Sequence, residues 1–274
     1  MAITAAEVAK LRKMTGAGMM DCKSALEESN GDFEKAVEII RKKGQLVASK
    51  RADRDAMEGV VIAKTNSNAT FGALIVLNCE TDFVAKNENY IKLAESILDA
   101  AVQNKPADLE ALKNIKLDGR GIGERVTEQI GIIGEKLELS FYEKIEAAQV
   151  VPYIHPGNRL ATLVGLSKAV DVKVGRDIAM QVAAMNPVAI DKADVPPSVI
   201  EKEKEIGREQ ARNEGKAENM LDKIAEGKLN KFFKESTLLN QEFTKDSTKT
   251  VRQYLQEVDK DVKVTDFKRY SLNQ

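Results

Sequence analysis

The groups that could do covalent chemistry are few and poorly placed for it. His155 is the single histidine, so no catalytic set with two histidines can form, and Cys22 and Cys79 stand far apart in no paired ligand spacing. Gly119-Arg120-Gly121-Ile122-Gly123 has the glycine content of a phosphate loop. It lacks the strand before it and the Lys-Ser/Thr or third-glycine spacing such loops need, and it reads as a flexible entry to a helix. No nucleophile with its base and no ligand set emerges, so the chain reads as a non-enzyme with no catalytic residues, no cofactor and no metal of its own. The chemistry left is mechanical. Glu80-Thr81-Asp82-Phe83-Val84 follows directly on an apolar run, and a polar turn after a buried strand holds an aromatic ring on a rigid support and aims it outward. The rival placement tucks Phe83 back under the following helix as core, the commoner fate of an aromatic; the residues alone leave both open.

Bulk properties narrow the setting. A chain of 274 residues is long enough for two or three packed units. With 43% hydrophobic and 31% charged residues and no apolar run approaching the roughly 20 residues of a membrane helix, no membrane span is expected. Met1-Ala2-Ile3-Thr4 lacks the basic start and apolar stretch of a secretory signal, and two unpaired cysteines suit a reducing compartment, so a cytoplasmic protein is expected. A net charge of −1 and a pI near 6.1 give no general attraction to a polyanion, and no direct nucleic-acid binding is expected.

The elements that must position Phe83 follow from periodicity. Thr4-Ala5-Ala6-Glu7 is a helix capping box, with Val8 and Leu11 on the buried stripe. After the break at Gly16-Ala17-Gly18, Asp21 is read as a second N-cap. Asp32 is read as a third, starting a helix with Ala36, Val37 and Ile40 inward that Gly44 stops. Lys42, Lys43, Lys50, Arg51 and Arg54 make the next stretch a solvated linker or exposed helix end, so the first unit is residues 1–54.

From Gly59 the period becomes that of strands: Val60-Val61-Ile62-Ala63, a turn at Asn66-Ser67-Asn68, and a second strand over 71–77. A helix over 89–102 follows, with Ile91, Ala94, Leu98 and Ala101 on one side. The order recurs as a strand over 150–154, a turn at His155-Pro156-Gly157-Asn158, a strand over 160–166 and a helix over 174–185. Asn104 with Pro106 in the first half parallels Asn186-Pro187 in the second. The expected fold is therefore α+β: a three-helix module, then two related subdomains with antiparallel sheets at 55–148 and 149–274. Between the repeats, 124–133 reads as a helix and 137–145 as a strand that could pair with the first hairpin. A charged helical hairpin over about 196–228 projects into solvent, 228–234 and 248–255 are closing helices, and 262–272 is a last strand of the second sheet. Where the first half has its Phe83 motif, the second has Ser167-Lys168-Ala169-Val170-Asp171, so the aromatic is not something the fold itself requires.

Two stretches carry a family resemblance: Leu11-Arg12-Lys13-Met14-Thr15-Gly16-Ala17-Gly18-Met19-Met20-Asp21-Cys22-Lys23-Ser24-Ala25-Leu26 and Leu77-Asn78-Cys79-Glu80-Thr81-Asp82-Phe83-Val84-Ala85-Lys86. Both resemble signatures of the elongation factor Ts family, and the order of parts extends the likeness over nearly the whole chain. The resemblance implies a UBA-like N-terminal module and guanine-nucleotide exchange on elongation factor Tu, in its GDP-bound and nucleotide-free forms, with that partner's aminoacyl-tRNA complex as a further candidate. It implies that Thr81, Asp82, Phe83 and Val84 intrude beside the partner's Mg²⁺ and dislodge it, and that Arg12, Met19 and Met20 touch the partner's nucleotide domain. From it, His155 contacts another partner domain, and the charged hairpin is a coiled-coil protrusion that also meets the partner. The family often has a further C-terminal helix that touches the partner; the sequence ends at Gln274, and no contact from such a helix is expected. The rival from a different class is a binding adaptor or chaperone of translation components that leaves nucleotide release unaltered.

Overall fold

The computed structural model describes residues 3–272; Met1, Ala2 and Gln274, which entered the reading of the termini, lie outside them. Three helices come first, α1 (Ala5–Thr15), α2 (Met19–Glu28) and α3 (Phe33–Lys50). The Thr4–Glu7 capping box is formed, and Val8, Leu11, Cys22, Leu26 and Ala36 close a small core between the helices. The cap of α2 is Gly18, which offers no side chain. Asp21 instead lies in the first turn, where exposed N–H groups favour a negative charge, and it pairs with Lys43.

The body follows in the order β1 (Glu58–Thr65), β2 (Phe71–Cys79), α4 (Asp82–Ala85), α5 (Glu88–Asn104), α6 (Leu109–Asn114), β3 (Lys116–Leu117), β4 (Arg120–Gly121), α7 (Ile122–Ile133) and β5 (Leu137–Glu146). It continues through β6 (Gln149–Ile154), β7 (Leu160–Leu166), α8 (Val172–Met185), α9 (Pro197–Asn213), α10 (Leu221–Ser236), β8 (Glu242–Phe243), β9 (Asp246–Thr250), α11 (Val251–Val258) and β10 (Val264–Ser271). The architecture is the α+β arrangement expected. Two three-stranded antiparallel sheets have the same plan, β1-β2-β5 and β6-β7-β10, each with the second strand of its hairpin at the centre. Each repeat's helix ends on a left-handed residue before a proline, Lys105 (φ 48°) before Pro106 and Asn186 (φ 43°) before Pro187. The structural counterpart of Asn186 is thus Lys105, one residue beyond Asn104.

The sheets pack against each other. Val61, Ala63, Leu74 and Val76 of the first meet Val150, Ala161 and Leu163 of the second, while Val60, Ile62, Phe71, Ile75 and Leu77 point the other way into a core with Tyr90, Ile97 and Ala101 of α5. Lying between a helix layer and a second sheet, β2 is buried at every residue, which is why its sequence is a continuous apolar run rather than an alternation.

Three boundaries differ from those expected. Gly44 does not stop α3; it lies inside the helix at a close crossing with α7, where a methyl group on Gly131 would stand 2.3 Å from the Gly44 Cα. Absence of a side chain there serves helix contact, not termination. The segment 228–234 is the end of α10, not a separate helix, since Gly227 faces open space and nothing interrupts the turn. The segment read as a helix over 248–255 begins as β9 and becomes α11 only after its cap at Thr250. α9 and α10 form the antiparallel charged hairpin, with Gly207 against Ala225 and ion pairs Arg208–Asp222 at 2.7 Å and Arg212–Glu218 at 3.0 Å.

Candidate functional site

β2 stops at Cys79, opposite Leu137 at the start of β5. Beyond this pair the two strands part, and their next residues grip one another. Glu80 Oε1 accepts the Lys136 N–H at 2.6 Å and Arg51 Nη1 at 2.7 Å. Glu135 receives Thr81 twice, its N–H at 3.0 Å on Oε2 and its hydroxyl at 2.7 Å on Oε1. The Thr81 hydroxyl also accepts the Val84 N–H at 3.4 Å as the cap of α4, and its carbonyl accepts the Cys79 thiol at 3.1 Å. Every polar group of Thr81 is thereby engaged. The Lys136 amide, followed by the Arg51 guanidinium, holds the Glu80 carboxyl below its ordinary range.

Burial pushes the Cys79 thiol up to about 11. Near pH 8 only about one part in a thousand is then thiolate, the reactive form. Native Cys79 is therefore expected to resist iodoacetamide over a period in which the denatured chain is fully alkylated, as read by peptide mass spectrometry. Alkylation of the native chain at the denatured rate would mean that this strand end opens.

α4 is one short turn. Val84 and Ala85 pack against the first core, whereas Phe83 just before them faces outward, 82% exposed. The ring is not tucked beneath α5. Asp82 pairs with Lys86 at 2.6 Å, but both are well exposed and such a pair contributes little to holding the turn. Phe83 and Val84 line an open cleft of about 750 Å³ together with Gly16 after α1, Leu93 of α5 and Arg125 and Ile132 of α7. The cleft brings the end of α1 beside the projecting ring.

On the N-terminal helices Arg12 is exposed, as are Met19 at 60% and Met20 at 75%; neither methionine is helix-end core. His155 is exposed on the β6–β7 turn, its Nδ1 2.9 Å from the Tyr153 hydroxyl. That turn is tied to β1, for the Val61 N–H donates to the Asn158 carbonyl at 2.7 Å and Arg159 pairs with Glu58, the strand partner of Cys79. The turn thus lies against the same end of the first sheet from which Phe83 projects.

Sequence reading missed Arg51, Glu135 and Lys136, which fix this loop from other segments, and Met14 and Met57, large exposed apolar side chains on α1 and just before β1. The methionines carry a usable signal, an apolar residue amid polar neighbours; the other three carry none until β2 and β5 are known to pair. The arrangement presents an exposed aromatic ring on a turn whose cap is held from a distant segment of the chain. Among the described residues no group of three or more His, Cys, Asp or Glu side chains could hold a metal ion, and no helix is long and apolar enough to cross a membrane.

Comparison with known proteins adds kinship to this geometry. The family described as Elongation factor TS matches residues 80–274. Over 274 aligned residues the chain is 54% identical to elongation factor Ts of Porphyromonas gingivalis, covering 100% of this chain and 99% of the relative. It is 55% identical to elongation factor Ts of Amoebophilus asiaticus over 272 residues, 98% of each chain. The same protein of Bacteroides fragilis is 42% identical, with 99% of each chain covered.

Proposed function

The chain belongs to the elongation factor Ts family, which implies nucleotide exchange on elongation factor Tu, and from that premise we propose that it releases GDP by driving the Phe83 turn against the partner's Mg²⁺ and phosphate contacts. One observation carries the reading: an aromatic ring 82% exposed on a turn held by its Thr81 cap and by Val84 and Ala85 on the core. A GTPase holds nucleotide through phosphate-cradling amides and Mg²⁺, so distorting that pocket suffices to raise the off-rate. The ion and the nucleotide are the partner's.

Magnitudes require more than one contact. Burying one Phe contributes about 1.5–3 kcal/mol, whereas a nanomolar nucleotide is held by about 12 kcal/mol. Arg12, Met19 and Met20 on the first unit (1–54), His155 beside the first sheet, and the hairpin over about 196–228 supply the remaining binding in this reading, with 55–148 and 149–274 as the paired body between them. Their contacts favour the nucleotide-free partner, and nucleotide then weakens this protein's binding by the factor by which this protein weakens nucleotide. The reaction belongs to the cytoplasm, where translation takes place.

Stopped-flow release of fluorescent GDP from elongation factor Tu tests the reading. Added chain is expected to accelerate release by at least about 100-fold at saturation, the ratio that a coupling of about 3 kcal/mol gives. Capture of the partner with an unchanged GDP off-rate would replace exchange by the adaptor function.

A further inference from the structure

The two sheets make the same strand junction in different ways. At the second sheet, β7 ends at Leu166 opposite Val264, so Ser167 stands where Glu80 does and Lys263 where Lys136 does. The Lys263 N–H donates to Ser167 Oγ at 2.9 Å, just as the Lys136 N–H donates to Glu80 Oε1 at 2.6 Å. An acceptor reaching across to that amide is therefore the fold's own requirement at both junctions.

The second half of the clasp is found at one junction only. The position matching Glu135 is Val262, buried in the second core, and that matching Thr81 is Lys168, which pairs instead with Asp259 at 2.6 Å. No projecting turn follows Lys168 before α8 begins at its Asp171 cap. The Thr81–Glu135 clasp thus accompanies the projecting turn and has no counterpart at the second sheet.

Resting on the exchange reading above, we propose that Glu135 is a positioning residue for exchange, fixing through Thr81 the direction in which Phe83 leaves the end of β2. A helix of four residues cannot hold itself, because nucleating a turn fixes several dihedrals for one hydrogen bond. Its orientation must come from outside it, from its cap and from the packing of Val84 and Ala85 on the first core. Thr81 is that cap, both oxygens of Glu135 are committed to it, and Phe83 lies two residues beyond. Glu135 reaches the reaction only through the chain it holds.

The test compares wild type, Glu135→Ala, Glu135→Gln, Phe83→Ala and the Glu135→Ala/Phe83→Ala double variant in saturating GDP release from elongation factor Tu. Glu135→Ala is expected to lower the saturating rate about tenfold, within what a misplacement of about 1 Å costs, while the half-saturating concentration stays within about threefold. Glu135→Gln, which keeps one oxygen for Thr81, is expected to recover part of the rate and covers the case in which the alanine variant folds poorly. Because Glu135 acts through Phe83, the double variant is expected to be no slower than Phe83→Ala alone. A wild-type rate in Glu135→Ala, losses that multiply in the double variant, or a loss confined to half-saturation would overturn the positioning role while exchange stood. If wild type itself fails to accelerate release, exchange falls and the role of Glu135 in it falls too.

Discussion

Phe83→Ala is expected to slow saturating GDP release from elongation factor Tu by about 10- to 100-fold, while leaving the free protein's melting temperature within about 1 °C of wild type. The two halves of this expectation share a cause. In the free chain the ring is 82% exposed, so its removal leaves no cavity and uncovers little; exposed substitutions of this kind stay within about 0.5 kcal/mol. In the complex the ring is read as buried against the partner, and losing about 1.5–3 kcal/mol of apolar burial is worth about one to two powers of ten in rate. The loss falls on the saturating rate because the contact is proposed to be made as the nucleotide pocket opens, not in the first encounter. Phe83→Leu, which keeps part of the apolar surface, is expected to lie between. A release rate within twofold of wild type for Phe83→Ala would show that the ring does not act as the wedge.

Gly131→Ala is expected to produce the opposite split, raising the half-saturating concentration about tenfold with a smaller change in saturating rate. The added methyl would lie 2.3 Å from the Gly44 Cα and 3.3 Å from its nitrogen. Both are backbone atoms, so no rotamer change relieves the clash and α3 must move away from α7. Arg41, paired with Glu128 at 3.2 Å across the same crossing, would be strained with it. The helices that carry Met19 and Met20 would then shift relative to Phe83, and the proposed contacts could no longer be made together. Overpacking of this kind costs about 1–3 kcal/mol, partly offset by the better helix propensity of alanine, so Tm is expected to fall by about 1–4 °C. Calorimetry together with the concentration dependence of GDP release checks both. An unchanged Tm would mean that the helices part without penalty.

Local order along the chain was legible where a residue's role depends on its immediate neighbours. The Thr4–Glu7 box, the two strand-strand-helix repeats, the pairing of β5 with the first hairpin and the solvent-facing hairpin of α9 and α10 all follow from capping chemistry and apolar period. Gly44 shows where this fails, because a glycine that ends a helix and one that lets another helix approach look identical in sequence. Asp21 shows it again, since an acid is favoured both at a cap and in the first turn.

The Phe83 motif divides the same way. Sequence placed a polar turn with one aromatic after a buried strand, and so limited Phe83 to two positions, beneath the next helix or out in solvent. Choosing between them needed Thr81 to be held by Glu135, 54 residues away along the chain. Hydrogen bonds of that reach are written by no periodicity; they arise only when β2 and β5 lie side by side and bring the residues past their ends together. Composition and spacing thus set the expectation of contact rather than covalent chemistry, while the pairing of distant strands decided which way the ring points.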